Sequence, residues 1–93
     1  MLDLEFASQN PNVPTIDLHE FENSYEALEF LESSIYNMYQ NNEQYVRVIH
    51  GIGEGILREK VHMALKQNPL IKAFELDKNE GATILTFYPH TSS

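Results

Sequence analysis

Apolar residues along this chain are spaced two apart in some stretches and three to four apart in others, and each change of spacing marks a new element. Thr15-Ile16-Asp17-Leu18-His19 alternates with period two. That spacing predicts a strand with Ile16 and Leu18 on one side and Asp17 and His19 on the other. Leu28, Leu31, Ile35 and Met38 then recur at helical spacing, flanked by Phe30 and Tyr39, with Glu22, Glu26, Glu29 and Glu32 on the outer side. Asn23 is the candidate N-cap, with Glu26 three residues on and Ser24 as the rival cap. The helix is expected to stop between Tyr39 and Asn42. Tyr45 to Ile49 reads as a second strand.

Leu57, Val61, Ala64 and Leu65 give a second helix its apolar stripe, which Asn68-Pro69 ends. Ile71 to Leu76 and Thr83 to Tyr88 read as two further strands joined by a hairpin connection at Asp77-Lys78-Asn79-Glu80-Gly81. The order is β-α-β-α-β-β. Helices of this length serve as right-handed crossovers, and the closing pair should be antiparallel because its connection is short. The expected architecture is an α/β two-layer sandwich: a four-stranded mixed sheet with two helices on one face. The expected domain spans 15–90. Residues 1–14 are expected to form an extended leader, because Leu2, Leu4 and Phe6 alternate with acids before a Pro- and Asn-rich break. That leader either packs on the domain or is the remnant of a linker.

With 93 residues the chain has room for one small core. It has no cysteine, so disulfides and thiolate metal sites are excluded. No basic-then-apolar signal pattern opens it, and no apolar run approaches the roughly 20 residues of a membrane span. The cytoplasm is the expected location, with no membrane association.

The net charge of −8 argues against a protein that coats polyanions. The charge is unevenly placed. Residues 1–45 hold nine acids and no Lys or Arg, whereas residues 46–93 hold all six bases and five acids. An anion would have to be met by the second half.

That half contains Ile49-His50-Gly51-Ile52-Gly53-Glu54-Gly55, between a strand and a helix. Glycines at a strand-to-helix junction leave backbone amides uncovered at a helix N-terminus, which suits an anion. The spacing is neither a dinucleotide fingerprint, since Ile56 stands where the third glycine would be, nor a nucleotide phosphate loop. A tight turn alone would also explain these glycines. Arg58, in the first turns of the helix, is placed either to clamp a phosphate or to pair on the helix surface. His62 lies one helical turn further along a similar face. If the first two strands are parallel, His19 and His50 finish at one sheet edge, where open α/β sheets bind ligands. Asp17 and His19 share a strand face and read either as an oriented general base or as a wetted polar edge. His50 is either a structural histidine or a proton-transfer group. His90, after Pro89, is expected to be mobile. The strand aromatics Tyr45, Phe74, Phe87 and Tyr88 are expected in packing rather than base stacking. The histidines show no compact metal-ligand spacing.

Taken together, Thr15-Ile16-Asp17-Leu18-His19, a helix, and Val48-Ile49-His50-Gly51-Ile52-Gly53-Glu54-Gly55-Ile56-Leu57-Arg58 resemble the Smr (small MutS-related) domain. Gly81-Ala82-Thr83-Ile84-Leu85 is similar to its closing strand, and the likeness covers residues 15–88. Smr domains occur at the C-terminus of MutS2-type proteins and as shorter proteins, and many nick DNA or cleave RNA. The resemblance implies catalytic roles for Asp17, His19 and His50, and nucleic-acid or phosphate contact by Gly51, Gly53, Gly55 and Arg58. It implies DNA or RNA as partner, with ribosome association or the remainder of a larger multidomain protein as further partners, and a monomeric isolated domain. No metal ligands are assigned, and a divalent ion is the one cofactor the chemistry leaves open. Ile16 and Glu20 depart from the family pattern of Leu and Gly. Glu20 places an acid beside the substrate path. A non-catalytic nucleic-acid-binding module, or a protein-interaction domain using the acidic first helix, are the competing readings.

Overall fold

The computed structural model describes residues 4, 7, 10–52, 55–78 and 81–90. Six elements run in the order β1 (Thr15–Asp17), α1 (Ser24–Gln40), β2 (Tyr45–Ile49), α2 (Ile56–Gln67), β3 (Ile71–Leu76) and β4 (Ala82–Phe87). The first strand is shorter than its alternation suggested. Asp17 turns its carboxylate back to accept the His19 backbone N–H at 3.1 Å, a local bond that takes the chain out of the ladder. The Leu18 N–H still donates to the Ile49 carbonyl at 2.7 Å, so the chain leaves the sheet at His19.

Asn23 caps α1. Its side-chain oxygen accepts the N–H groups of Tyr25 at 2.7 Å and Glu26 at 3.3 Å. Asn23→Ala removes both bonds and is expected to lower stability by about 1 kcal/mol. A urea unfolding curve with an unchanged midpoint would deny the cap that role. At the other end, Asn42 takes a left-handed backbone (φ 64°) and Glu43 donates its N–H to the Met38 carbonyl, which closes the helix where its apolar spacing runs out.

The sheet order is β1-β2-β4-β3. β1 and β2 are parallel, with Asp17 beside Ile49, and β4 runs antiparallel to both of its neighbours. The last strand in the sequence is therefore central. Ile16, Leu18, Val46, Val48, Leu85 and Phe87 meet Ala27, Leu31 and Ile35 of α1 and Val61 and Leu65 of α2 in one core. Both helices thus cover the same face of the four-stranded mixed sheet, the two-layer architecture the order of elements predicts.

The N-terminal segment departs from the expected extended leader. Leu4 and Ala7 are helical, and the rest of 1–9 lies outside the described residues. Three apolar residues at period two are too few to outweigh the three-residue spacing of Leu4 and Ala7, which share one side of a helix. Leu4 lines a groove with Tyr45, Ala73, Glu75 and Thr86. These strand residues alternate with the core residues, so they lie on the face away from the helices. Ala7 and Val13 are buried, and the Pro14 carbonyl accepts the Arg47 N–H at 2.8 Å. The segment therefore packs on the domain. His90, expected to be mobile, stacks on Tyr39 with ring centroids 3.9 Å apart and bonds the Tyr39 carbonyl through Nε2 at 2.8 Å.

Candidate active site at the sheet edge

Because β1 and β2 are parallel, His19 and His50 reach the same edge. They arrive there in different surroundings. Asp17 Oδ1 accepts the His19 backbone N–H, and it also lies 2.5 Å from His19 Nδ1. A carboxylate only accepts, so Nδ1 carries the proton and Nε2 of the neutral ring is bare. Both side chains are about half exposed (49% and 48%). Glu20 Oε2 stands 3.9 Å from Nε2, beyond hydrogen-bonding distance. The pair is an oriented imidazole with its basic nitrogen open to solvent.

Each partner shifts the other. The bond from His19 holds the Asp17 carboxyl below its ordinary 3.8, and the bond to Asp17 raises the His19 imidazole above its ordinary 6.5. The raised imidazole stabilises the fold fully below 6.5 and loses that effect as pH rises through its raised value. The lowered carboxyl stabilises above 3.8 and loses its effect as pH falls through its lowered value. An NMR titration is expected to place the His19 midpoint above 6.5 and to move it down in Asp17→Asn. An unmoved midpoint in that variant would detach Asp17 from the shift.

Gly51 lies beside this pair. A Cβ built on it would lie 3.6 Å from the His19 Cβ, and its φ of +84° is a conformation that favours glycine. Its N–H, however, is turned inward. The Gly81 carbonyl accepts both the His50 N–H at 3.0 Å and the Gly51 N–H at 2.9 Å. The Gly51 amide therefore shapes the turn and is not offered to an anion. Gly55, also left-handed at φ +83°, is the N-cap of α2 and brings no side-chain cap. The Arg58 guanidinium folds back over it, with Nη2 2.9 Å from where a Cβ on Gly55 would stand. A cation and an uncapped helix N-terminus thus stand together. Gly53 lies outside the described residues.

His50 is only 5% exposed. Its Nδ1 is 3.0 Å from the Gly51 carbonyl and its Nε2 is 2.9 Å from Thr83 Oγ1. Burial pushes this imidazole below its ordinary range, the Gly51 carbonyl opposes that, and the Arg58 charge adds to it. His50 is thus packed behind the edge, not presented on it as His19 is. Two residues that sequence reasoning left aside complete the cluster. His62 Nε2 lies 2.6 Å from Thr83 Oγ1, and the His62 ring rests against Phe74 at 5.0 Å and His50 at 6.0 Å. Burial, His50 and Arg58 all push the His62 imidazole down. The one-turn spacing from Arg58 to His62 was the available signal, but it named no partner.

Among the described residues, no group of three or more His, Asp and Glu side chains is placed to hold a metal ion, and no helix is long and apolar enough to cross a membrane. Phe87 is buried and Phe74 packs against the core, as expected of strand aromatics, while Tyr88 is exposed.

The family model of the Smr domain matches residues 16–87. The endonuclease MutS2 of Streptococcus sanguinis (strain SK36) is 39% identical to this chain over 66 residues, which is 67% of this chain and 8% of that protein. The endonuclease MutS2 of Streptococcus pneumoniae (strain Hungary19A-6) gives the same values. The chain thus matches a small part of these much longer relatives. The crystal structure of the Smr domain of Thermus thermophilus MutS2 superposes with a TM-score of 0.78 at 23% identity, covering 83% of this chain and 100% of that one. At that identity the likeness is one of fold.

Proposed function

Since the chain belongs to the Smr domain family, we propose that it binds nucleic acid and cleaves phosphodiester bonds at the edge where His19 stands. The observation that carries this reading is the Asp17–His19 pair, exposed and with the proton held on Nδ1. The bare Nε2 removes a proton from the attacking hydroxyl, either water or a ribose 2′-OH, while Asp17 stabilises the imidazolium that forms; the hydroxyl oxygen bonds to phosphorus as the P–O bond to the leaving nucleotide breaks, and the leaving oxygen takes a proton from solvent water. Arg58 and the first-turn amides of α2 meet the charge that builds on the phosphate. His50, shielded from solvent, serves by supporting the glycine turn rather than by touching substrate. The streptococcal relatives are named endonucleases, which agrees with this chemistry. A cytoplasmic place of action goes with it.

A second reading rests on α1. Tyr25, Phe30 and Tyr36 are exposed on a helix that also displays Glu22, Glu26, Glu29 and Glu32 near or along its length. Such a face suits a basic partner, whether a ribosomal protein or another part of a larger chain.

One experiment separates the readings. The wild-type protein is incubated with single- and double-stranded RNA and DNA, with and without EDTA, while binding is followed by fluorescence anisotropy at low salt. Cleavage of any substrate is the expected result, and the EDTA arm reports whether a divalent ion takes part. Binding without cleavage would leave a non-catalytic module. Absence of binding would favour the acidic helix as the working surface.

A further inference from the structure

Behind the Asp17–His19 pair, three polar side chains from three different elements meet where apolar groups would otherwise fill the space. Thr83 is fully buried, His50 nearly so and His62 half-buried. Thr83 Oγ1 touches both rings, at 2.9 Å from His50 Nε2 and 2.6 Å from His62 Nε2. A threonine hydroxyl has one proton to give. It can therefore donate to no more than one of the two histidines.

The Gly51 carbonyl decides which. It can only accept, and it lies 3.0 Å from His50 Nδ1, so that nitrogen carries the proton. In the neutral ring His50 Nε2 is then bare, and the Thr83 hydroxyl donates to it. Thr83 Oγ1 is left to accept, so His62 carries its proton on Nε2. Every proton in the chain follows from one backbone carbonyl. The direction runs from His62 on α2, through Thr83 on β4, to His50 at the end of β2, and finally to Gly51.

We propose that His62 and Thr83 are positioning residues: their one-way hydrogen-bond chain holds His50 in its Nδ1–H form, and through it holds the left-handed Gly51 turn that lies beside His19. The side chain of His19 sits 3.6 Å from the point where Gly51 would carry a Cβ, so a shift of the turn moves the general base. The arrangement needs His50 neutral. A protonated His50 would donate from both nitrogens, which turns the Thr83 hydroxyl round to donate to His62 Nε2, reverses the His62 tautomer and places a charge in a site where burial disfavours it. Arg58, one turn before His62 on α2, places a positive charge near both rings and opposes their protonation.

The effect on cleavage rests on the proposed nuclease reading; the proton assignment does not. The test therefore has two arms. In wild type, nitrogen-15 NMR of the imidazoles is expected to show His50 protonated on Nδ1 and His62 protonated on Nε2. The reverse tautomer at either ring would overturn the proposal with no variant made. In Thr83→Val the hydroxyl is lost at similar size. His50 is expected to lose its single tautomer, the Gly51 and His19 amide resonances to move, and kcat to fall about tenfold with KM within about twofold. Thr83→Ser, which keeps the hydroxyl, is expected to restore all of these. Unmoved Gly51 and His19 resonances in a folded Thr83→Val protein, or a serine variant that behaves like valine, would also overturn it. If the wild type cleaves no nucleic acid, the nuclease reading fails and the NMR arm still decides the chain.

Discussion

Replacing His19 with alanine is expected to lower the rate of phosphodiester cleavage by a factor of about 10²–10⁴ and to leave nucleic-acid affinity within about twofold. The side chain is half exposed and buries no apolar surface that the core needs, so its removal takes away a proton acceptor and little else. Affinity should survive because the phosphate contacts proposed here come from Arg58 and the start of α2. The pH dependence carries the sign. A base must be unprotonated, so the wild-type rate should rise with pH through the raised His19 value, above 6.5. Asp17→Asn removes the cause of that rise and is expected to move the limb to lower pH, with a lower plateau because the ring is no longer oriented. Single-turnover cleavage of a labelled oligonucleotide across this pH range measures both. A His19→Ala protein that cleaves at the wild-type rate would remove His19 from the chemistry.

The second large effect is on stability. Leu18 is wholly buried between Asp17 and His19, and its N–H bonds the Ile49 carbonyl at 2.7 Å. Leu18→Ala is expected to destabilise the domain by about 2–5 kcal/mol, the transfer term plus the cavity left behind. For a domain of this size each kcal/mol lowers Tm by roughly 4–8 °C. A thermal melt within about 2 °C of wild type would show that the site collapses far more completely than its packing suggests. The same residue fixes which way its neighbours point. Leu18 enters the core, so Asp17 and His19 must face out, and loss of the leucine should loosen the pair as well as the fold.

The parts of this molecule that were legible in the sequence are those written in local spacing. The period-two run at 15–19 put Asp17 and His19 on one strand face, and their bond spans two residues. Asn23 capped α1 because the cap is a matter of three consecutive amides. The shared edge of His19 and His50 followed from a crossover joining parallel strands. What stayed hidden depends on register across the sheet. His62 and Thr83 are 21 residues apart and Thr83 and His50 are 33 apart, and only the placing of β4 beside β2 brings the three together. The inward turn of the Gly51 amide was hidden for the same reason, since its acceptor is Gly81. Glycine spacing shows that a chain can turn tightly, but not which amides the turn consumes. The helical Leu4 and Ala7 were missed because a short alternation is a weak signal when one sheet face is still uncovered.

β4 comes last among the strands and yet lies between β2 and β3. The Gly81 carbonyl and the Thr83 hydroxyl come with it. During synthesis the Asp17–His19 pair emerges early, but the support beneath the glycine turn emerges only when the final strand does. A nascent chain that stops short of β4 leaves β2 and β3 without the neighbour that joins them, and it leaves His50 without Thr83. The edge that carries Asp17 and His19 is therefore completed only when the strand furthest along the chain takes its place in the middle of the sheet.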